Sequence, residues 1–223
     1  NLSKRLEHYK LPKLNIHTIH PPVDQQDCDL KIARQGIVSV GRFFIGDHCK
    51  QQDALISAFR KLYESGIDSE LHLVGTLLSE PQHRAYFLKC SHLAQGLPIY
   101  FHLDASSEVL TDIYARSSVY WHAAGLGVNT QVAPEKCEHF GISIIEAMSA
   151  GVIPLVVNNG GPTITVQDGH NGFHYDSEDK LIELTQKILN HSDESLLGLR
   201  EKVRSRANDF SKESFAACWK TLL

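Results

Sequence analysis

Two glutamates bracket a helical pattern in the stretch Glu138-His139-Phe140-Gly141-Ile142-Ser143-Ile144-Ile145-Glu146, which continues as Ala147-Met148-Ser149-Ala150-Gly151. The pattern predicts a helix that begins near Phe140 and runs to Ala150. One carboxylate then lies just before the first turn, and the other lies one to two turns inside the helix. Because an α-helix rises ~1.5 Å per residue, we expect the two carboxylates to flank the helix N-terminus about 10 Å apart.

The start of this helix is also a candidate binding site. The first backbone N–H groups of a helix have no acceptor within it, so those of Phe140, Gly141 and Ile142 can donate to hydroxyls or to an anion. Gly141 has no Cβ, which lets a ligand approach the backbone closely. A structural role is the alternative, because glutamates near a first helical turn interact favourably with the macrodipole. Taken alone, the spacing favours the structural role.

Short apolar runs alternate with longer helical patterns along the chain. Helical spacing of apolar residues appears in Gln51–Tyr63 and Gln82–Ala94. Such alternation predicts an α/β fold with a parallel sheet covered by helices on both faces, and ligands of such sheets bind at the carboxyl ends of the strands. The predicted buried strands are Ile37–Val40, Leu71–Val74, Ile99–Phe101, Val119–His122 and Val152–Val157.

The region from Ser177 onward is predicted to be helical, with breaks near Ser192 and Ser211. Its last segment carries an apolar face formed by Phe215, Trp219 and Leu222.

The flanks of the glutamate motif carry a family resemblance. Pro134-Glu135-Lys136-Cys137 precedes the motif, and Val152-Ile153-Pro154-Leu155-Val156-Val157-Asn158-Asn159-Gly160-Gly161 follows it. Together they closely resemble the donor-binding half of glycosyltransferase family 4, retaining enzymes of the GT-B architecture. The resemblance covers about residues 19–176 and is strongest over residues 120–172. It implies a Rossmann-like parallel sheet that forms one half of a GT-B fold.

The resemblance also implies a domain organisation. Residues 1–24 resemble the connector from an N-terminal acceptor-binding domain, which is missing from this chain, and residues 25–223 would form the nucleotide-sugar-binding domain with its C-terminal helices. The last helix of such enzymes returns to pack on the acceptor domain, so the face with Phe215 and Trp219 is expected to have lost its partner.

Cationic and glycine-rich segments extend the resemblance. Gly41-Arg42 follows a predicted strand and resembles the family's diphosphate-binding turn, where Arg42 would bind the donor phosphates and Lys50 would be the second cation. The family's spacing between these two is shorter, and Ile45-Gly46-Asp47-His48-Cys49 is a small insertion. Gly160-Gly161 is expected to turn main-chain N–H groups toward the donor. Ile164 stands where the family carries a glutamate.

The resemblance implies that these residues contact different parts of one bound nucleotide sugar. Glu146 would accept hydrogen bonds from the ribose hydroxyls, and Leu103 would lie next to the nucleotide base. Glu138, Arg42 and Lys50 would act in catalysis. The donor sugar would be held by Glu138 and by the four residues His139, Phe140, Gly141 and Ile142. His122, at the end of a predicted strand, is either a further donor to the ligand or a core histidine.

Other signals exclude function classes. The net charge of −4 argues against nucleic acid as the main partner. No apolar run approaches the ~20 residues that span a bilayer, although contact with a membrane surface stays open. Five scattered cysteines without a Cys-x-x-Cys pair favour a reducing cytoplasm, with the inner face of a membrane as a possible peripheral site.

Two short motifs are interpreted as structural. Asp27-Cys28-Asp29 has the form of a metal-binding Asp-x-Asp, but no strand leads into it, so a solvated loop is favoured and no metal site is predicted. Gly125-Leu126-Gly127 lacks the third glycine and the acidic residue of a dinucleotide fingerprint, which disfavours a nicotinamide enzyme.

The sequence thus predicts a donor-binding domain of a retaining, metal-independent glycosyltransferase that needs no cofactor beyond its nucleotide-sugar substrate. A UDP-sugar is preferred over a GDP-sugar, and a hexose would pass to a glycan or lipid acceptor. Two alternatives remain: a module that binds nucleotide sugar without chemistry, for regulation or assembly, and a disfavoured epimerase of the same architecture.

Overall fold

The computed structural model describes residues 17–26 and 28–221. In this part of the chain, six strands form one sheet in the order β3-β2-β1-β4-β5-β6, and every neighbouring pair is parallel. The strands are β1 Gly36–Val40, β2 Leu71–Gly75, β3 Ile99–Leu103, β4 Ser117–His122, β5 Ile153–Val157 and β6 Phe173–Tyr175. The predicted parallel α/β fold is confirmed. Successive strands are added on one side of β1 up to β3 and on its other side from β4 onward, so the strand order reverses between β1 and β4.

Helices connect the strands and close the chain. They are α1 Gln52–Glu64, α2 Pro81–Leu93, α3 Ser107–Arg116, α4 Ile142–Ser149, α5 Pro162–Thr165, α6 Glu178–Leu189, α7 Asp193–Asn208 and α8 Lys212–Lys220. A 3-10 turn, Pro134–Lys136, lies between β4 and α4. The predicted breaks in the C-terminal region are N-caps, because the side chains of Ser192 and Ser211 accept hydrogen bonds from the first turns of α7 and α8.

Burial follows the position of each element. The central strands β4 and β5 are buried along their whole length, whereas the edge strand β3 is partly exposed. The predicted apolar face of α1, including Leu55, Phe59 and Leu62, is buried against the sheet. Continuous burial of the central strands is what a parallel sheet covered by helices on both faces requires.

Two elements differ from the sequence prediction. The sixth strand, β6, is absent from the predicted set; it pairs with β5 and follows a turn in which Gly169 N–H donates to the carbonyl of Gly172 at 2.8 Å. Helix α4 begins two residues later than predicted, at Ile142, because Gly141 adopts a left-handed conformation with φ of +86° and is the N-cap. An L-residue rarely adopts this conformation.

The segment before β1 packs against the C-terminal half of the domain. Val23 N–H donates to the carbonyl of Phe210 at 2.8 Å, and the His20 ring stacks on Phe140 with centroids 5.2 Å apart. Residues 1–16 of the expected connector lie outside the described residues, so the domain boundary stays a prediction. On α8, Trp219 is 47% exposed and contacts Phe215. Leu222, assigned to the same face, is also outside the described residues.

Candidate donor-binding site

The crevice between the carboxyl ends of β1 and β4 is where a sheet of this order binds its ligands. Gly41 and Arg42 follow β1 directly, and His122 is the last residue of β4. Glu138 lies on the segment that joins β4 to α4. The fold therefore brings the predicted turn, the predicted carboxylate and the N-terminus of α4 to one edge of the sheet.

Glu138 and Lys50 form a direct ion pair in this crevice. Lys50 Nζ donates to Glu138 Oε2, and Glu138 Oε1 accepts from the backbone N–H of His139 at 3.1 Å. His122 Nε2 lies 3.6 Å from Glu138 Oε2. Burial opposes ionisation of Glu138, but the nearby His122 and the charge of Lys50 outweigh it, so the pKa of Glu138 lies well below its ordinary value. Glu138 is consequently an ionised carboxylate at neutral pH.

The inserted residues after Arg42 place Lys50 within reach of Glu138. His48 and Gln51, on either side of Lys50, adopt left-handed backbone conformations with φ of +62° and +51°. The His48 ring nitrogen Nδ1 lies 2.9 Å from the carbonyl oxygen of Cys137, and its ring contacts that of His139 with centroids 4.3 Å apart. Unusual backbone conformations of this kind are retained where the surrounding structure enforces them, often at ligand sites. The insertion therefore supports Lys50 as a site residue.

Arg42 presents an exposed guanidinium at the rim of the crevice. The guanidinium carbon lies 5.1 Å from the centroid of the Phe44 ring, a cation–π contact that restrains the side chain without neutralising it. The turn behind it is held by Gln52, whose side-chain amide donates to the carbonyls of Gly41 and Arg42 at 3.2 and 3.1 Å. Arg42 is therefore positioned to bind an anion.

The glycine pair after β5 supports the carboxylate segment. The Gly161 N–H donates to the carbonyl of Glu138 at 2.8 Å, so it does not face a donor as the sequence analysis expected. A Cβ at Gly161 would stand 1.9 Å from the carbonyl oxygen of His139, and one at Gly160 would stand 2.4 Å from that of Glu138. No side chain fits at such distances. The two glycines thus permit the backbone contact that holds the segment with Glu138 in place.

The N-terminus of α4 is tied to the end of β1 by a pair of hydroxyls. Ser143 Oγ and the Tyr120 hydroxyl lie 2.8 Å apart, and both contact the carbonyl oxygen of Val40, at 3.4 and 3.3 Å. Neither residue is among the site residues that the sequence predicts. The sequence pattern places Tyr120 only in a strand and Ser143 only in a helix, because periodicity carries no information about which hydroxyls meet.

Glu146 occupies a different environment from Glu138. It is half-buried on α4, and burial raises its pKa, an effect that the charge of Asp24 strengthens and the Tyr114 hydroxyl partly offsets. Among the described residues no cation contributes to this shift, so Glu146, unlike Glu138, is not paired with a positive charge there.

Other predicted site residues spread along the same edge. Ile142 is 50% exposed at the first turn of α4, and His139 is exposed beside Glu138. The side chain of Phe140 stacks on the His20 ring. Leu103 ends β3 with 39% exposure, two strands from β1. At ~4.8 Å per strand it lies on the order of 10 Å from the crevice, the length of a nucleoside.

Across residues 17–26 and 28–221, no three His, Cys, Asp or Glu side chains are grouped as metal ligands would be. Asp27 of the Asp-x-Asp pattern lies outside these ranges. No helix within them is both long and apolar enough to cross a bilayer.

Several proteins of known function are similar in sequence. The chain is 38% identical over 214 residues to the human GDP-Man:Man(3)GlcNAc(2)-PP-Dol alpha-1,2-mannosyltransferase, a match that covers 88% of this chain and 41% of that protein. The Neurospora crassa protein of the same name is 31% identical over 181 residues, covering 76% and 30%. The chain thus spans less than half the length of these curated relatives.

Solved structures share the fold. TarM superimposes with a TM-score of 0.72 at 17% identity, covering 100% of this chain and 42% of that chain. The pneumococcal O-GlcNAc transferase GtfA superimposes with a TM-score of 0.69 at 20% identity, covering 99% and 42%. The predicted fold, one Rossmann-like half of a GT-B architecture, is confirmed. The family described as glycosyl transferases group 1 matches residues 30–209. This chain belongs to that family.

Proposed function

We propose that this chain is the donor-binding half of a retaining mannosyltransferase that takes GDP-mannose and passes mannose to a lipid-linked glycan. The names of the human and Neurospora crassa relatives, which match most of the chain, specify GDP-Man as donor and a dolichol-linked glycan as acceptor. The earlier preference for a uridine donor finds no support in these names. We therefore place guanosine first and uridine second.

The observation that carries the proposal is the Glu138–Lys50 pair with Arg42 at the switch point of the sheet. An exposed arginine can bind a diphosphate through two parallel hydrogen bonds. An ammonium group has three donors, so Lys50 can keep Glu138 and still bind a phosphate oxygen. The ionised Glu138 then accepts hydrogen bonds from sugar hydroxyls. One ion pair thus links the sugar end of the donor to its diphosphate end.

The same residues fit the chemistry of sugar transfer. Breaking the bond between the anomeric carbon and the diphosphate oxygen leaves negative charge on the departing diphosphate. Arg42 and Lys50 stabilise that charge as it develops, a kind of preorganised electrostatic effect worth several kcal/mol in an enclosed site. The bound donor also gains from the N–H groups at the start of α4, which favour an anion or a hydroxyl oxygen.

The acceptor half of the reaction lies outside this chain in the proposal. The relatives are more than twice as long as the matched region, and we propose that their remaining length carries an N-terminal acceptor domain. A lipid-linked acceptor would bring the complete protein to a membrane surface. Positioning two substrates is worth on the order of 7 to 11 kcal/mol of barrier in favourable cases. The isolated chain is therefore expected to bind donor and to transfer sugar negligibly.

Calorimetric titration with GDP, UDP, GDP-mannose and UDP-N-acetylglucosamine, each with and without EDTA, tests the donor. We expect the guanosine compounds to bind about tenfold tighter than their uridine counterparts, a difference of about 1.4 kcal/mol, with no effect of EDTA. Tighter binding of UDP would reverse the base assignment. Loss of binding in EDTA would overturn metal independence, and failure of all four compounds would overturn the donor site.

A second experiment separates an enzyme from a binding module. The chain is joined to the N-terminal domain of its own gene and incubated with radiolabelled GDP-mannose and a lipid-linked oligomannose acceptor. Transfer that requires both halves supports the proposal. Donor binding without any transfer by the complete protein would favour the non-catalytic module.

A further inference from the structure

We infer that His122 is a positioning residue of the donor site, which holds the carboxylate of Glu138 through its Nε2–H group. The inference rests on the proposed function for its consequence in donor binding, but its geometric basis is independent of any donor. Neither the glutamate motif nor the cationic turn contains this histidine.

His122 is buried and its two ring nitrogens are unsatisfied. The residue is 4% exposed, and neither Nδ1 nor Nε2 has a hydrogen-bond partner among the described residues. Its backbone is fixed, because the Tyr175 hydroxyl donates to its carbonyl at 2.6 Å. Burying a polar ring without partners costs free energy, so each such group in a native structure needs an explanation.

The ring points toward the carboxylate of Glu138. Nε2 lies 3.6 Å from Glu138 Oε2, the oxygen that Lys50 also contacts. This distance is longer than a formed hydrogen bond, so a movement of less than about 1 Å would close it. The imidazole is therefore close enough to form a hydrogen bond with Glu138 after a small movement.

The ring is neutral in this environment. Burial lowers the pKa of His122 and the charge of Lys50 lowers it further, against the opposing effect of Glu138. A neutral imidazole carries its proton on one nitrogen only. With the proton on Nε2, the ring offers an N–H group to the carboxylate. With the proton on Nδ1, it would direct a lone pair at a negative oxygen.

An uncharged hydrogen-bond donor beside Glu138 is suited to the binding of a nucleotide sugar. Lys50 must then divide its charge between Glu138 and the diphosphate, and Glu138 must accept hydrogen bonds from the sugar without rotating away. His122 can hold the carboxylate in place while adding no positive charge that would compete with the sugar hydroxyls. Its effect should therefore appear in binding of the sugar and not in binding of the diphosphate.

The tautomer is tested first, without ligand, by long-range ¹⁵N–¹H correlation spectra of the ¹⁵N-histidine-labelled chain. The inference requires the His122 proton on Nε2. A proton on Nδ1 would overturn it.

Two substitutions then test the role. His122→Gln keeps an N–H donor near the position of Nε2, and His122→Met keeps the volume without a donor. We expect His122→Met to lower the ratio of GDP-mannose affinity to GDP affinity about tenfold, with GDP affinity unchanged, and His122→Gln to retain most of the ratio. Carboxyl ¹³C titration should also show a higher pKa for Glu138 in His122→Met than in the parent chain.

The outcomes separate this inference from the proposed function. If the parent chain binds neither GDP nor GDP-mannose, the donor proposal fails, while the tautomer and the pKa change of Glu138 still decide the positioning role. If both ligands bind and His122→Met weakens them by the same factor, the residue has only a packing role and the inference fails. Retention of the full ratio by His122→Met would contradict it equally.

Discussion

The two ends of α4 use cationic side chains in opposite ways. At its C-terminal end, the carbonyls of Ser149 and Ala150 accept from Arg204 Nε at 3.1 Å and from Arg34 Nη1 at 2.8 Å. At its N-terminal end, Lys50 contacts the carboxylate of Glu138, and Arg42 is exposed to solvent. Cations at a helix C-terminus interact favourably with the macrodipole, whereas cations at the N-terminus do not.

This difference identifies which end is built for stability and which for binding. The arginines at the C-terminal end are occupied by carbonyls and by Asp193, which accepts from Arg200 Nη2 at 2.6 Å. They fasten residues 28–34 to α4 and α7. At the other end, Lys50 is paired with Glu138, and the exposed Arg42 is a cation to which a ligand anion can bind. Substitutions at the two ends should therefore affect different properties.

The largest expected effect is on stability, from Arg200→Met. Arg200 is fully buried and Asp193 is 33% exposed, so breaking the pair should lower the free energy of unfolding by about 2 to 3 kcal/mol, less than for a fully buried pair. Urea denaturation measures the change, with Lys202→Met on the exposed face of α7 as the control. Affinity for GDP should not change. Weaker GDP binding at unchanged stability would contradict the division between the two ends.

The next effect is on binding, from Arg42→Ala. Loss of a charge-assisted hydrogen bond should weaken GDP binding by on the order of 1.5 to 3 kcal/mol. Thermal unfolding should be unchanged, because Arg42 is exposed and its turn is held by Gln52. Lys187→Ala, which removes an exposed charge from α6, is the matched control for calorimetry. Equal weakening by both substitutions would show a general charge effect instead of a site.

The smallest effect is the pH dependence that Glu146 confers. Its folded-state pKa is raised above the ordinary value of 4.5, so the folded chain holds the proton more tightly than the unfolded chain does. Stability from this group therefore falls as the pH rises through that range, and Glu146→Gln should be slightly stabilising at pH 7.

Binding should change with pH in the opposite direction. An ionised Glu146 accepts from the ribose hydroxyls, so GDP affinity should fall by less than about tenfold as the pH is lowered through the raised pKa. In Glu146→Gln this slope should disappear, while the slope should persist in Glu138→Gln because the pKa of Glu138 is depressed. Calorimetry over a pH series measures both. An unchanged slope in Glu146→Gln would remove Glu146 from the ribose contact.

The sequence predicted most of the fold because its elements have clear periods. The five predicted runs became strands with boundaries shifted by a few residues, and the helical face of α1 is buried, but β3 is not buried as predicted because it lies at the edge of the sheet. Phe173–Tyr175 was missed as a strand because three residues contain too little alternation to recognise. The start of α4 was misplaced because the left-handed conformation of Gly141 depends on its surroundings and not on its neighbours in sequence.

The candidate site was predictable only as a set of separate residues. The glutamate motif named Glu138 and the cationic segment named Arg42 and Lys50, but neither predicted that Lys50 and Glu138 contact each other across the crevice. His122 was a candidate, but its approach to Glu138 and the contact of Tyr120 with Ser143 could not be predicted, because both depend on which atoms the sheet brings together. Hydrogen bonds between side chains far apart in sequence leave no periodic signal.

The separation along the chain of the residues that meet at Glu138 has a consequence for folding. Lys50 and Glu138 are 88 positions apart, and His48 and Cys137 are 89 apart. Contacts of such long range form slowly, because the chain between them must first be ordered. The crevice should therefore assemble only after β1 and β4 have paired. A ligand that binds only the folded chain stabilises it by about 2.7 kcal/mol at roughly a hundredfold excess over its Kd. The cellular supply of donor would then help to determine how long a newly synthesised chain escapes proteolysis.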